Sequence, residues 1–120
     1  MAKANYWQRG ESLDLKNLGN TTIEAGTIIV YGARLGVAGG DILPGELGSI
    51  HVEGVYYLPK KDDTAIDAGT QLYWNPDADA PGVTASADDG EDTPTAYVRA
   101  GYAAQAAAAG DATVLVKINA

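Results

Sequence analysis

The chain of 120 residues has the size of a single domain, and its hydrophobic content of 46% is typical of a globular protein. It contains no cysteine, which excludes disulfide bonds, thiolate metal sites and cysteine nucleophiles. The formal net charge is −8 and the eight Lys and Arg residues are scattered, so no basic stripe is available to bind nucleic acid. No apolar run approaches the ~20 residues of a membrane span. The polar start lacks the apolar core of a secretory signal, and we expect no membrane contact.

The first twelve residues are mostly polar, with one aromatic pair among them. Too few apolar residues surround this pair to form a core, and chain termini fray unless they are tied down. We therefore expect residues 1–12 to form an extended arm that contacts another chain, and residues 13–120 to form a single β domain. The candidate interface residues are Tyr6, Trp7, Gln8 and Arg9.

Short segments rich in β-branched and aromatic residues follow the arm, and turn-forming sequences separate them. The predicted strands are 27–31, 49–58, 70–74, 96–102 and 112–118, with 12–16 as a shorter candidate. This pattern predicts an all-β fold, a small compact barrel or sandwich of short strands. In the last strand, Val114, Val116 and Ile118 share one face. We expect these three side chains to be buried together with Ile50 and Val52.

One pattern of turns and strands occurs twice. Ala-Gly-Thr at 25–27 and again at 68–70 precedes a strand, and a Gly-x-Ala segment follows in each case. Gly36 and Gly45 are nine positions apart, as are Gly101 and Gly110, and a further strand follows each pair. The pattern predicts an internal pseudo-repeat, with residues 25–54 matching 68–73 joined to 97–119.

Two segments lie outside this pattern. Residues 75–95 are the most acidic stretch, and they predict a long surface loop with one short strand at 82–84. The Ala-rich stretch 103–109 is compatible with a short helix or with a strand end that leads into a loop. Isolated alanine helices of this length are only marginally stable.

No sequence motif indicates catalysis, a cofactor or a metal. Ser49, His51 and Glu53 alternate on one predicted strand, but neighbours on one strand face stand parallel about 6.6 Å apart, whereas catalytic groups converge from different elements. The acidic loop does not match the spacing of a calcium-binding loop. We expect no catalytic residue, no cofactor-binding residue and no metal ligand, and therefore no enzyme.

Aromatic pairs also occur within the strands, at Tyr56-Tyr57 and Tyr73-Trp74. Adjacent strand residues point to opposite faces, so one member of each pair is exposed unless both faces are covered. Exposed tyrosine and tryptophan rings form platforms for sugars. A carbohydrate-binding module that uses an exposed Trp74 and exposed tyrosines is therefore the alternative function.

Many short motifs along the chain occur in an order that is typical of one family. They are Gln8-x-Gly10 with Leu13, Ala25-Gly26-Thr27, Leu35-Gly36-Val37-Ala38, Pro44-Gly45-Glu46, Glu53-Gly54-Val55-Tyr56-x-Leu58-Pro59-Lys60, Ala65, Gly69-Thr70, Leu72-Tyr73-Trp74, Gly101-Tyr102-Ala103, Ala106 to Gly110-Asp111 and Val114-x-Val116. With these motifs the chain resembles, over nearly its whole length, the capsid cement or head decoration proteins of tailed bacteriophages and prophages.

The resemblance implies a structural role rather than a catalytic mechanism. Such a protein is made in the cytoplasm of the bacterial host, binds the outer surface of the assembled head and clamps neighbouring major capsid subunits. The resemblance favours a homo-oligomer, most often a trimer. It implies no nucleic-acid or membrane partner.

Overall fold

The computed structural model describes all residues from Met1 to Ala120. Nine β-strands and no α-helix make up the fold, which contains no helix long and apolar enough to cross a membrane. The strands are β1 (Ser12–Lys16), β2 (Ile28–Tyr31), β3 (Arg34–Ala38), β4 (Leu47–His51), β5 (Val55–Pro59), β6 (Gln71–Asn75), β7 (Gly82–Thr84), β8 (Val98–Ala103) and β9 (Thr113–Ile118).

The strands form two antiparallel sheets. The first sheet has four strands in the order β1-β4-β3-β2, and the second has five in the order β5-β9-β8-β6-β7. Strand β3 of the first sheet packs against β8 of the second. The expected all-β fold is therefore confirmed, as a small sandwich of two sheets.

The predicted pseudo-repeat is confirmed at the level of individual hydrogen bonds. The amide of Gly26 donates to the carbonyl of Ala38 at 2.8 Å, and the amide of Gly69 donates to the carbonyl of Ala103 at 2.7 Å. The two glycines have nearly the same left-handed φ, 84° and 86°, which only glycine adopts readily. Each copy thus begins with the same tight turn.

The repeat extends further than the sequence pattern indicated. Strand β1 pairs with β4 as β5 pairs with β9, so the halves β1-β2-β3-β4 and β5-β6-β8-β9 have the same strand order. An isolated bridge between Ile23 and Ile42 matches one between Ile66 and Ala107. Strand β7 has no counterpart in the first half, because it lies within the long insertion between β6 and β8.

Two expectations for local structure need correction or completion. The single strand expected over 49–58 is wrong, because it divides into β4 and β5, which belong to different sheets. Gly54 lies between them with a φ of 127°, a backbone conformation that ends the strand. In the alanine-rich stretch, β8 ends at Ala103 and no helix follows, so the alternative of a strand end leading into a loop is the observed one.

The main hydrophobic core contains thirteen buried residues, and all except two come from the second half of the chain. Val114, Val116 and Ile118 are buried in it as expected, and they are at most 2% exposed. The expectation that Ile50 and Val52 join them is wrong. Ile50 is buried outside this cluster, over Gly36 of its own sheet, and Val52 is only half-buried. Both residues stay with the first sheet, because β4 ends before Gly54 and the chain enters the second sheet only after it.

Strand β7 curls the second sheet towards a closed barrel. It pairs antiparallel with β6 on one side. On its other side the amide of Lys61, just beyond β5, donates to the carbonyl of Val83 at 2.9 Å. All three residues of β7 are buried. Residues 75–95 therefore form surface loop on either side of one buried strand.

Candidate functional site

The N-terminal segment carries the candidate interface residues on exposed chain without regular secondary structure. Residues 1–10 have no regular secondary structure and are exposed throughout. The side chains of Tyr6 and Trp7 are 85% and 88% exposed. The side-chain amide of Gln8 donates a long hydrogen bond of 3.5 Å to the carbonyl of Ser12, where β1 begins. Rings of this size so fully in water are suited to burial against another surface.

His51 makes a contact that the sequence analysis did not foresee. Its Nδ1 atom lies 2.8 Å from the hydroxyl of Ser12, the residue opposite it in the β1–β4 pairing. Ser49, the serine considered from the sequence, pairs instead with Asp14. Only knowledge of the strand register could have indicated Ser12, because 39 residues separate the two partners.

The serine–histidine pair lies beside open space but is not assembled as a catalytic site. His51 is half-buried between two clefts of about 330 and 380 Å³, one mainly apolar and one lined by Glu11, Glu53 and Tyr56. An activated serine needs a base that a third group orients, and no carboxylate is hydrogen-bonded to the histidine ring. Its Nε2 atom instead faces Gly39. That His51 has no enzymatic role stays a prediction.

The outer face of the second sheet is rich in tyrosine. Tyr57 is 72% exposed on β5, and the Nζ atom of Lys117 lies 5.9 Å from the ring centroid of Tyr102. Trp74, which the carbohydrate-binding alternative requires to be exposed, is only 6% exposed. That part of the alternative is wrong, because Trp74 belongs to the main hydrophobic core, where Val83 of β7 lies beside it.

The acidic loop is held by local hydrogen bonds and by one ion pair. Lys61 Nζ lies 2.7 Å from a carboxylate oxygen of Asp77. The hydrogen bond from Lys61 lowers the pKa of Asp77, and a further bond from the backbone amide of Asp79 lowers it as well. Backbone amides of Glu91 and Thr95 lower the pKa of Asp89. No group of three or more His, Cys, Asp or Glu side chains is placed to hold a metal ion.

Comparison with known proteins agrees with the resemblance. A protein-family model described as phage cement protein matches residues 7–118, which is nearly the whole chain. No curated protein and no solved structure shows a significant match. The matched span includes both halves of the pseudo-repeat and the residues from Trp7 onward. The chain therefore belongs to the phage cement protein family.

Proposed function

We propose that the protein binds the outer surface of the assembled phage head and stabilises the contacts between major capsid subunits. Membership of the cement family gives it a structural role at the capsid. The observation that carries the finer proposal is the exposed N-terminal arm, whose aromatic pair has no partner within the chain. The arm becomes ordered on another chain of the head.

The dimensions of the arm suit this role. Ten extended residues reach roughly 33 Å at ~3.3 Å per residue, far enough to leave the domain surface and contact a neighbouring subunit. Tyr6 and Trp7 anchor the contact, while Gln8 and Arg9 supply hydrogen bonds at its edge. Aromatic residues and arginine are the types that most often dominate binding energy at interfaces.

A cement protein needs only modest affinity at each contact. Many copies bind one lattice, and a copy that contacts several subunits at once has a high effective concentration for each further contact. A trimer, the state that the family resemblance favours, would place three arms around one symmetry axis. The arm extends directly from β1, an outer strand of the first sheet.

Co-sedimentation with heads that lack the protein tests the proposal. Deletion of residues 2–9 removes the aromatic pair, while deletion of residues 2–5 shortens the arm but keeps Tyr6 and Trp7. We expect the longer deletion to weaken head binding and the shorter one to have a small effect. Trp7→Ala alone should weaken binding roughly 30-fold, since an aromatic hot spot commonly contributes ~2 kcal/mol or more.

Thermal melting of the same variants supplies the control. The free domain should melt at a nearly unchanged temperature after either deletion, because the arm is exposed and contributes nothing to the core. Full head binding by the longer deletion would contradict the role of the arm. Global unfolding of that variant would show that the arm belongs to the domain.

A further inference from the structure

The two halves of the pseudo-repeat differ in one strand. In the second half, Tyr73, Trp74 and Asn75 of β6 pair with Thr84, Val83 and Gly82 of β7. The equivalent residues of the first half are Val30 and Tyr31 at the end of β2 and Gly32 in the turn that follows, and β2 lacks the register shift that β6 has between Leu72 and Tyr73. Strand β2 is the last strand of its sheet, so its outer edge has no neighbour. The first half is a copy of the same fold with the place of β7 left vacant.

The vacancy uncovers apolar side chains that are buried in the second half. Tyr31 is 41% exposed where its counterpart Trp74 is 6% exposed. Leu15 and Ile29 of the first half are only half-buried. Their counterparts in the second half, Leu58 and Leu72, are at most 1% exposed. A strand at the edge of β2 would cover this inner face as β7 covers the other.

The other side of the vacant strand position, next to the end of β1, also has no paired strand. In the second half, the amide of Lys61 donates to β7, which links β7 back to the end of β5. The equivalent residue is Leu18, just beyond β1, and its side chain is 87% exposed. A cavity of about 190 Å³ has Leu13 of β1 and Tyr31 of β2 on its walls, together with Arg34, Val52, Glu53 and Asn119.

We propose that the N-terminal arm of a second copy of this chain, residues 1–10, occupies this vacant strand position. The arm is exposed and without secondary structure, Gln8 makes only a long hydrogen bond to Ser12, and the aromatic pair Tyr6-Trp7 is exposed. The arm carries Lys3 and Arg9 and no acidic residue, whereas the rest of the chain holds all 16 acidic residues. Backbone hydrogen bonds to β2 would provide affinity, as in other cases of strand addition to a sheet edge.

The direction of the missing strand favours the arm of another copy over the chain's own arm. By analogy with β7, which bridges Lys60 in parallel, the added strand runs parallel to β1 and antiparallel to β2. Adjacent parallel strands that are joined directly need a crossover of a dozen or more residues. Only Gly10 and Glu11 separate Arg9 from the start of β1, so a chain cannot place Tyr6 to Arg9 in its own vacancy.

Alternation along the added strand assigns different positions to the two aromatic rings. Adjacent strand residues point to opposite faces, so one ring enters the apolar face beside Ile29 and Tyr31, and the other lies on the outer surface. Exchange of arms in a head-to-tail manner gives a cyclic oligomer when the rotation between neighbouring copies closes. One ring is thereby buried against the second copy, and the outward-facing ring stays available for the proposed contact with the head.

Cysteine cross-linking tests the proposal cleanly, because the natural chain has no cysteine. One preparation carries Asn5→Cys or Gln8→Cys in the arm, which keeps the aromatic pair. A second preparation, enlarged by a tag, carries Val30→Cys at the vacant edge. The two are mixed, oxidised and separated without reductant. We expect a disulfide-linked heterodimer at roughly ten times the yield obtained with Glu91→Cys in place of Val30→Cys, because bound arms raise the local thiol concentration.

Each other outcome overturns the proposal in a recognisable way. Homodimers of Val30→Cys alone would show that two β2 edges pair with each other. An intrachain disulfide in a dilute double variant, Gln8→Cys with Val30→Cys, would place the arm in its own chain. A yield no higher than that of the Glu91→Cys control would show that arms of other copies do not occupy the edge. The assay contains no heads, so its failure leaves the proposed attachment to the capsid unaffected.

Discussion

Gly101 and Gly36 occupy equivalent positions in the two halves, yet the same substitution should affect them very differently. Gly101 lies opposite Leu72 on one side and Ile118 on the other, and its φ is 136°. A Cβ atom there would overlap the backbone carbonyl of Lys117. At Gly36 the φ is not left-handed, and a Cβ atom would lie 3.0 Å from the Cδ1 atom at the flexible end of Ile50.

The expected free-energy changes follow from these surroundings. Backbone strain at an unfavourable φ costs about 1–3 kcal/mol, and the displaced carbonyl of Lys117 would weaken hydrogen bonds between β8 and β9 at about 1 kcal/mol each. We expect Gly101→Ala to lower the free energy of unfolding by at least about 3 kcal/mol. Gly36→Ala should stay within about 1 kcal/mol of the natural protein, because the lower entropy of its unfolded chain offsets the crowding.

Urea unfolding followed by tryptophan fluorescence measures both values. A Trp7→Phe background leaves Trp74 as the only tryptophan, and this buried ring reports on the core. At this chain length a loss of 3 kcal/mol corresponds to a melting temperature roughly 12 °C lower. Equal losses at the two glycines would refute the argument, since the structure distinguishes them only by φ and by the rigidity of the neighbouring atom.

Two further predictions concern polar contacts. Ser12→Ala should cost about 1 kcal/mol of stability through the lost hydrogen bond to His51 and leave any background hydrolysis of nitrophenyl esters unchanged; a lower ester-hydrolysis rate would reveal a nucleophile. Lys61→Met should raise the pKa of Asp77 towards its ordinary value of 3.8 in an NMR titration. Because the folded pKa is depressed, the pair stabilises the fold above the unfolded pKa, and that contribution disappears as the pH falls through the folded value; an unchanged pKa in the variant would show that the ion pair does not form.

The elements that alternate apolar and polar residues between turns could be predicted from the sequence. The Ala-Gly-Thr turns indicated the repeat because such turns need a positive φ, which glycine adopts readily since it has no Cβ atom. The sequence does not identify Gly54 as the point where one strand ends and another begins, since a single glycine within β-branched and aromatic residues is also typical of a bulge inside one strand. The missed break explains the wrong assignment of Ile50 and Val52 to the second sheet.

Contacts that depend on strand register could not be predicted. The bond between Ser12 and His51 requires the knowledge that β1 pairs with β4, and a shift by one residue would have placed another side chain there. The burial of Trp74 depends on a three-residue strand inside the acidic loop, whose position in the sheet is a tertiary property. The exposure of residues 1–10 could be expected because their composition alone cannot form a core, whereas their contact with another chain stays a prediction.

The difference between the two halves has a physical basis in their connections. Strands β2 and β3 are joined by Gly32 and Ala33 alone, and a two-residue hairpin cannot supply a further strand. Strands β6 and β8 are joined by the long insertion that contributes β7, so the second half closes its own sheet and holds most of the core. An open edge is a template for pairing with another chain. On the proposal above, the open half keeps one edge for a partner, which a repeat closed on both sides would not offer.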